Sequence, residues 1–230
     1  MRAFSRWCAL LVLLPGSLAA QEAYKVEELK QAPPSSISPE IAPALIARGY
    51  RIVDGQGKPF ADLWLRKSIP ATSKPSGAKG VVQFPFLAES ELLGALQLHG
   101  EAHDYRDQAI AKGLYTLRYG HQPVNGDHLG VSPFGDYVLL LPSAKDTSLA
   151  ALPRKHLETK SAESAGSSHP AVLFMLAVPA TVAGTSPSMI HDAEKNVWRV
   201  VVPLNLKVPR ESRSMIYPIS IVVVGTSEAA

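Results

Sequence analysis

Val197-Trp198-Arg199-Val200-Val201-Val202-Pro203-Leu204-Asn205-Leu206-Lys207-Val208 alternates along its whole length. Trp198, Val200, Val202, Leu204, Leu206 and Val208 share one face, and Arg199, Asn205 and Lys207 share the other. A period of two marks a strand with one buried face. Pro203 falls on the polar face and has no N–H for a ladder, which predicts an edge position or a bulge there.

The same pattern recurs on either side. Residues 50–53, the turn Asp54-Gly55-Gln56-Gly57 and residues 60–67 read as a hairpin. Residues 81–87 and 92–98 are apolar runs of strand length. In residues 114–119, Tyr115, Leu117 and Tyr119 oppose Thr116 and Arg118. Residues 137–141 and 171–178 are continuous apolar runs suited to central strands, and residues 219–224 close the series. Residues 68–80 and 142–170, rich in Ser, Pro, Lys and Ala, read as surface excursions. One short helix is expected near the N-terminus: Ser38 caps it, Pro39 opens it, Ile41, Leu45 and Ile46 share a face, and Gly49 ends it. Pro43 keeps it short or irregular. Many short strands separated by turns predict an all-β fold, an antiparallel β-sandwich of jelly-roll or immunoglobulin-like topology, with a small closed barrel as the alternative.

Residues 1–20 have the order of a secretory signal. Arg2 and Arg6 precede an apolar run over residues 7–14, Pro15-Gly16-Ser17 break it, and Leu18-Ala19-Ala20 offer small residues to a peptidase. The run is too short for a membrane anchor, and Cys8 precedes most of it, which argues against lipidation. Residues 1–20 therefore read as a signal peptide, 21–49 as a polar lead-in with the short helix, and 50–230 as one β-sandwich domain. Export to the periplasm or exterior follows.

Removing residues 1–20 takes away the only cysteine, Cys8, and two of the 23 basic residues, leaving 21 against 20 acidic ones. Such a near-neutral chain has no basic stripe for nucleic acid, and no later apolar segment is long enough to span a membrane. Without disulfides, the mature fold rests on its core.

Two polar segments could carry chemistry. The connection from His121 to Pro133 is long for a hairpin and holds His121, Asn125, Asp127 and His128 among turn-forming residues. Their bland role is to bond their own backbone. Residues 99–107 bring His99, Glu101, His103, Asp104, Tyr105, Arg106 and Asp107 together. Imidazole and carboxylate suit a divalent metal, so His99, His103, His121, Asp127 and His128 form one candidate metal set. His121, Asn125, Asp127, His128, Asp104 and Arg106 form a candidate polar-ligand set. Gly130-Val131-Ser132-Pro133-Phe134-Gly135 departs from the nucleophile elbow because its closing glycine comes one residue late.

Gly113-Leu-Tyr-Thr-Leu-Arg-Tyr119, Asn125-Gly-Asp-His-Leu-Gly-Val-Ser-Pro133, Asp136-Tyr-Val-Leu-Leu140 and the later His169-Pro170 resemble a group of uncharacterised exported bacterial proteins. Those proteins share a Y-T-L-R-Y strand and a G-D-H-x-G-V-S-P loop. The resemblance implies bacterial export and no particular reaction.

The leading expectation is an exported, non-catalytic binding module for an unidentified envelope or extracellular ligand. The alternative is a His/Asp metal-binding protein, with a metal-dependent hydrolase as one form it would take. Cofactor use is open, between none and a divalent metal. N-terminal sequencing of the exported protein should return Ala20 or Gln21 as the first residue; recovery of Met1 would refute the signal reading.

Overall fold

The computed structural model describes residues 23–122, 134–182, 184 and 186–226. The first strands are β1 (Lys25–Leu29), β2 (Gly49–Val53), β3 (Pro59–Leu65), the short β4 (Ile69–Pro70) and β5 (Leu92–Leu98). A small hairpin of β6 (Ala102–His103) and β7 (Ala109–Ile110) leads to β8 (Gly113–His121) and β9 (Asp136–Pro142). After helix α1 (Arg154–Ala165) come β10 (Val172–Ala177), β11 (Ser188–Asp192), β12 (Val197–Lys207) and β13 (Met215–Val224).

The all-β expectation holds. The strands pair in the order β1-β2-β3-β5-β8-β9-β10-β13-β12-β11, with β4 added in parallel to β12. This is one continuous curled sheet; the pairing does not divide it into the two packed sheets of a sandwich. Turn signals mark where strands end, but they say little about which strands pair over long range. The curl brings the edge strands β1 and β11 towards each other. Tyr24, just before β1, packs on Trp198 of β12 with ring centroids 5.6 Å apart.

The inward face carries the main core. Ile52, Leu63, Leu96, Tyr115, Leu117, Tyr119, Val138, Leu140, Met175 and Ile221 meet there with Val200, Val202, Leu204, Leu206 and Val208. The alternation of residues 200–208 therefore translates into burial, except at Val201, which is buried as well. Gly94 is needed where β5 crosses β3, because a Cβ there would sit 2.4 Å from the Trp64 carbonyl oxygen. The turn at residues 54–57 forms as expected, with Gly57 at φ 77° and the Asp54 carboxylate accepting from the N–H groups of Gln56 and Lys58.

Pro203 sits neither on an edge strand nor at a bulge, contrary to expectation. β12 is an interior strand, and its bulge lies at Trp198/Arg199. Pro203 instead sits opposite Pro218, at a level that neither β11 (ending at the Ser188–Val201 pair) nor β4 (beginning at Leu206–Ile69) reaches.

Three local expectations change. The N-terminal helix is only a 3-10 turn at Ala42–Ala44, with Ile41 and Leu45 buried beside it, and Gly49 opens a strand rather than closing a helix. Residues 81–87 form no strand although Phe84 and Phe86 are fully buried. Pro85 removes one donor, and the N–H groups of Gln83 and Phe84 go to the Asp136 carboxylate. The excursion at residues 142–170 contains helix α1, which packs on β9. Its buried stripe is Leu157, Ser161 and Ser164, whose hydroxyls donate to the Ala171 and Leu140 carbonyls. Gly166 ends the helix in the left-handed conformation, φ 57°.

The other face of β8 is also buried. Arg118 has no exposed surface. Its Nε and Nη2 donate to the two Asp146 oxygens at 2.7 and 2.8 Å, Nη1 donates to the Ser90 and Ala150 carbonyls, and Nη2 to the Ser148 carbonyl. All five guanidinium donors are thus satisfied. Thr116 adds a 2.6 Å bond to Asp146. Removing one partner from such a pair leaves a buried charge uncompensated, so Asp146→Ala should cost about 3 to 5 kcal/mol in urea unfolding. Replacing both Arg118 and Asp146 by apolar residues of similar size should recover much of that loss.

Candidate functional site

The structure gives the polar residues of 99–107 separate duties. His99 Nε2 lies 2.9 Å from Asp62, which also accepts two bonds from Arg51 at 2.7 and 2.8 Å. Burial disfavours the charged form of Asp62, but the bonds and charges of Arg51 and His99 outweigh it and hold the carboxyl below its usual range. Asp104, fully buried, accepts from the N–H groups of Arg106 and Gln108 and from the Gln108 side chain. It fixes the turn between β6 and β7. Arg106 reaches away to the Pro170 carbonyl at 2.8 Å. Both Asp104 and Arg106, candidates for a polar ligand, thus have structural partners.

His103 stands apart. Its Nδ1 is 2.9 Å from Asp107 Oδ1 and its Nε2 3.6 Å from Glu101 Oε1, and both carboxylates are largely exposed.

His121 ends β8. Leu98 pairs with Gly113 and Leu92 with Arg118, so His99 and His121 lie towards opposite ends of the β5–β8 ladder. Eight residue steps from Gly113 to His121 span roughly 25 Å of strand. A single metal shell holding both histidines is not what these strands build. Asn125, Asp127 and His128 lie outside the described residues. Among the described residues, no three His, Cys, Asp or Glu side chains are placed to hold a metal together. The two segments do approach at one point: the Tyr105 and Phe134 rings are 5.6 Å apart, and both pack on Phe174.

What residues 101–107 do build is one wall of a cleft of about 530 Å³ at the seam of the curled sheet. Tyr24, Phe60 and Trp198 supply aromatic surface, and Glu101, His103 and Asp107 supply ionisable groups. Tyr24 packs edge-on to Phe60 at 5.6 Å, and His191 stacks on Trp198 at 4.3 Å. Burial, followed by the charge of Asp54, pushes the Tyr24 phenol up. The aromatic wall escaped sequence reading because its residues come from three distant segments. Trp198 read correctly as core, since it is mostly buried, yet it also faces the cleft.

A second polar group lies where β8 meets β9. Asp136, fully buried, accepts from Tyr119 Oη at 2.6 Å and from the Gln83 and Phe84 N–H groups. Burial pushes its carboxyl up, against the pull of those three bonds. The Tyr119 phenol is raised as well, first by burial and then by its bond to Asp136. Nearby, Tyr137 and Arg154 both donate to the His121 carbonyl. This network ties the base of the 122–134 connection to the frame.

No family model matches the chain, and no curated protein or solved structure matches it either.

Tyr119→Phe deletes the phenol that donates to Asp136 and should cost about 1 to 3 kcal/mol. The loss matters most when the carboxylate is ionised, because that form depends on its donors. A folded carboxyl raised above its unfolded value contributes stability at low pH that is lost as pH rises through the folded value. Tyr119→Phe raises Asp136 further, so its penalty should be larger at about pH 7 than at about pH 4. Equal penalties at the two pH values would contradict this account.

Proposed function

We propose that this chain is an exported, non-catalytic binding module whose ligand seats in the seam cleft. The observation that carries the reading is the composition of that cleft: three aromatic side chains beside two exposed carboxylates and a histidine, in a concavity of about 530 Å³. Ligand sites combine apolar walls with a few placed polar groups at this scale. The curled sheet serves here as a β-sandwich frame would, holding short connections at its rim in fixed positions. Export, to the periplasm or exterior of a bacterial cell, is supported by the order of residues 1–20 and by a mature sequence that dispenses with cysteine. No helix among the described residues is long and apolar enough to cross a membrane.

The metal-dependent alternative draws no support from the described histidines. His99 is held by Asp62 and His103 by its two carboxylates, while His121 sits towards the other end of the sheet.

Two tryptophans distinguish cleft binding from binding elsewhere. Trp198 faces the cleft, while Trp64 is buried and donates its indole N–H to the Gln31 carbonyl at 2.9 Å. In two-dimensional NMR of the mature protein titrated with amines, neutral sugars and dipeptides, a ligand should move the Trp198 indole signal and leave that of Trp64 in place. If every binder found shifts signals away from Trp198 and Tyr24, the cleft is not the site.

A further inference from the structure

The seam cleft, taken as the ligand site, also carries information about the charge of its occupant. Among the described residues, Glu101 and Asp107 line it and no Lys or Arg does. The nearest basic residue in the β11–β12 turn, Lys195, places its ammonium over the Phe134 ring, 5.1 Å from the centroid.

His103 does not settle this charge. It lies between the carboxylates, with one ring nitrogen towards each. A neutral imidazole has a single N–H, so it donates to one carboxylate and turns a lone pair towards the other. In either protonation state one imidazole faces two carboxylates, so the pair keeps a net negative charge and unused acceptor lone pairs on the side open to solvent.

The aromatic wall has matching chemistry. Phe60, Tyr24 and Trp198 line the same concavity; His191 stacks on one face of Trp198, and the remaining ring surface attracts cations through its negative quadrupole. Carboxylates and aromatic rings together favour an ammonium group over a neutral hydroxyl or an anion.

We propose that the seam cleft binds an organic ammonium ion, with Glu101 and Asp107 accepting its N–H donors and Tyr24, Phe60 and Trp198 enclosing its carbon skeleton. A free polyamine and a lysine side chain of a peptide present the same group. Both arms belong in the test.

The experiment titrates the mature protein with cadaverine, with its neutral diol analogue, with glutarate and with a lysine-containing dipeptide, following the Trp198 indole by NMR. Cadaverine or the lysine dipeptide should shift it, and affinity should fall as salt screens the carboxylates. The diol and glutarate should bind at least about tenfold more weakly, equivalent to about 1.4 kcal/mol. Preference for the dipeptide would assign the site to peptides, and preference for cadaverine to free polyamines. The double variant Glu101→Gln/Asp107→Asn should lose about tenfold or more in ammonium affinity. Both side chains are largely exposed, so an unchanged melting temperature should show that the fold survives. Glu101→Lys should reverse the preference towards glutarate.

Equal binding of the diol and cadaverine at Trp198 would overturn the ammonium assignment and leave the cleft as a ligand site. Undiminished cadaverine affinity in the double variant would also overturn it. If no probe moves Trp198, both this assignment and the proposed function fall.

Discussion

The structure depends on one buried guanidinium. Arg118 sits in the middle of β8 with no exposed surface, and its five donors reach Ser90, Asp146, Ser148 and Ala150. A charge in that position is tolerable only when every donor is met. The constraint therefore fixes the chain around it. Ser90 adopts a positive φ of 68°, with its carbonyl taken by Arg118 and its hydroxyl accepting from the Leu152 N–H. Residues 146–152 are thereby clamped across the outer face of the sheet. They in turn hold the N-terminal segment, because Glu40 accepts from Ser148 and Leu149, and Ser38 donates to Thr147. One ion pair thus connects the centre of the sheet to its N-terminal cover.

Where burial follows a strict period, the sequence was easy to read. Residues 197–208 and the Asp54–Gly57 hairpin express local rules of alternation and turn chemistry, and they fold as those rules require. The failures share a different cause. Helix α1 buries two serines and one leucine, so its inward stripe has no apolar period to detect. Residues 81–87 contain buried aromatics, but Asp136, some fifty positions along the chain, takes the backbone donors that a ladder would need. Thr116 and Arg118 looked like a solvent face because the segment that covers them lies about thirty residues away. Pairing of edge strands into one curled sheet is likewise a long-range matter.

The candidate site was half legible. Residues 99–107 stood out as a polar cluster, and three of its polar side chains, Glu101, His103 and Asp107, do line the cleft. Histidine spacing was a poor guide within it, since His99 precedes the tight β6–β7 hairpin and pairs with Asp62, while His103 lies in the hairpin beside Asp107. Tyr24, Phe60 and Trp198 could not be grouped in advance, because only the approach of the two sheet edges brings them together.

That approach leaves the sheet nearly without open ends, and the Pro203–Pro218 pair bears on what remains. The Lys207 carbonyl accepts from Ala71, on the flank of β12 away from β13. By the alternation of a strand, residue 203 turns its backbone to that same flank, where β11 has stopped and β4 has not begun. Pro218, opposite, turns towards the flank where β10 has already ended at the Ala177–Ile219 pair. Among the described residues the sheet is only two strands wide at this level, and each flank carries a residue with no N–H. A strand from another molecule arriving there would find no donor to begin a ladder. The prolines thus leave the narrowest level of the described sheet without the N–H groups on which intermolecular strand addition relies.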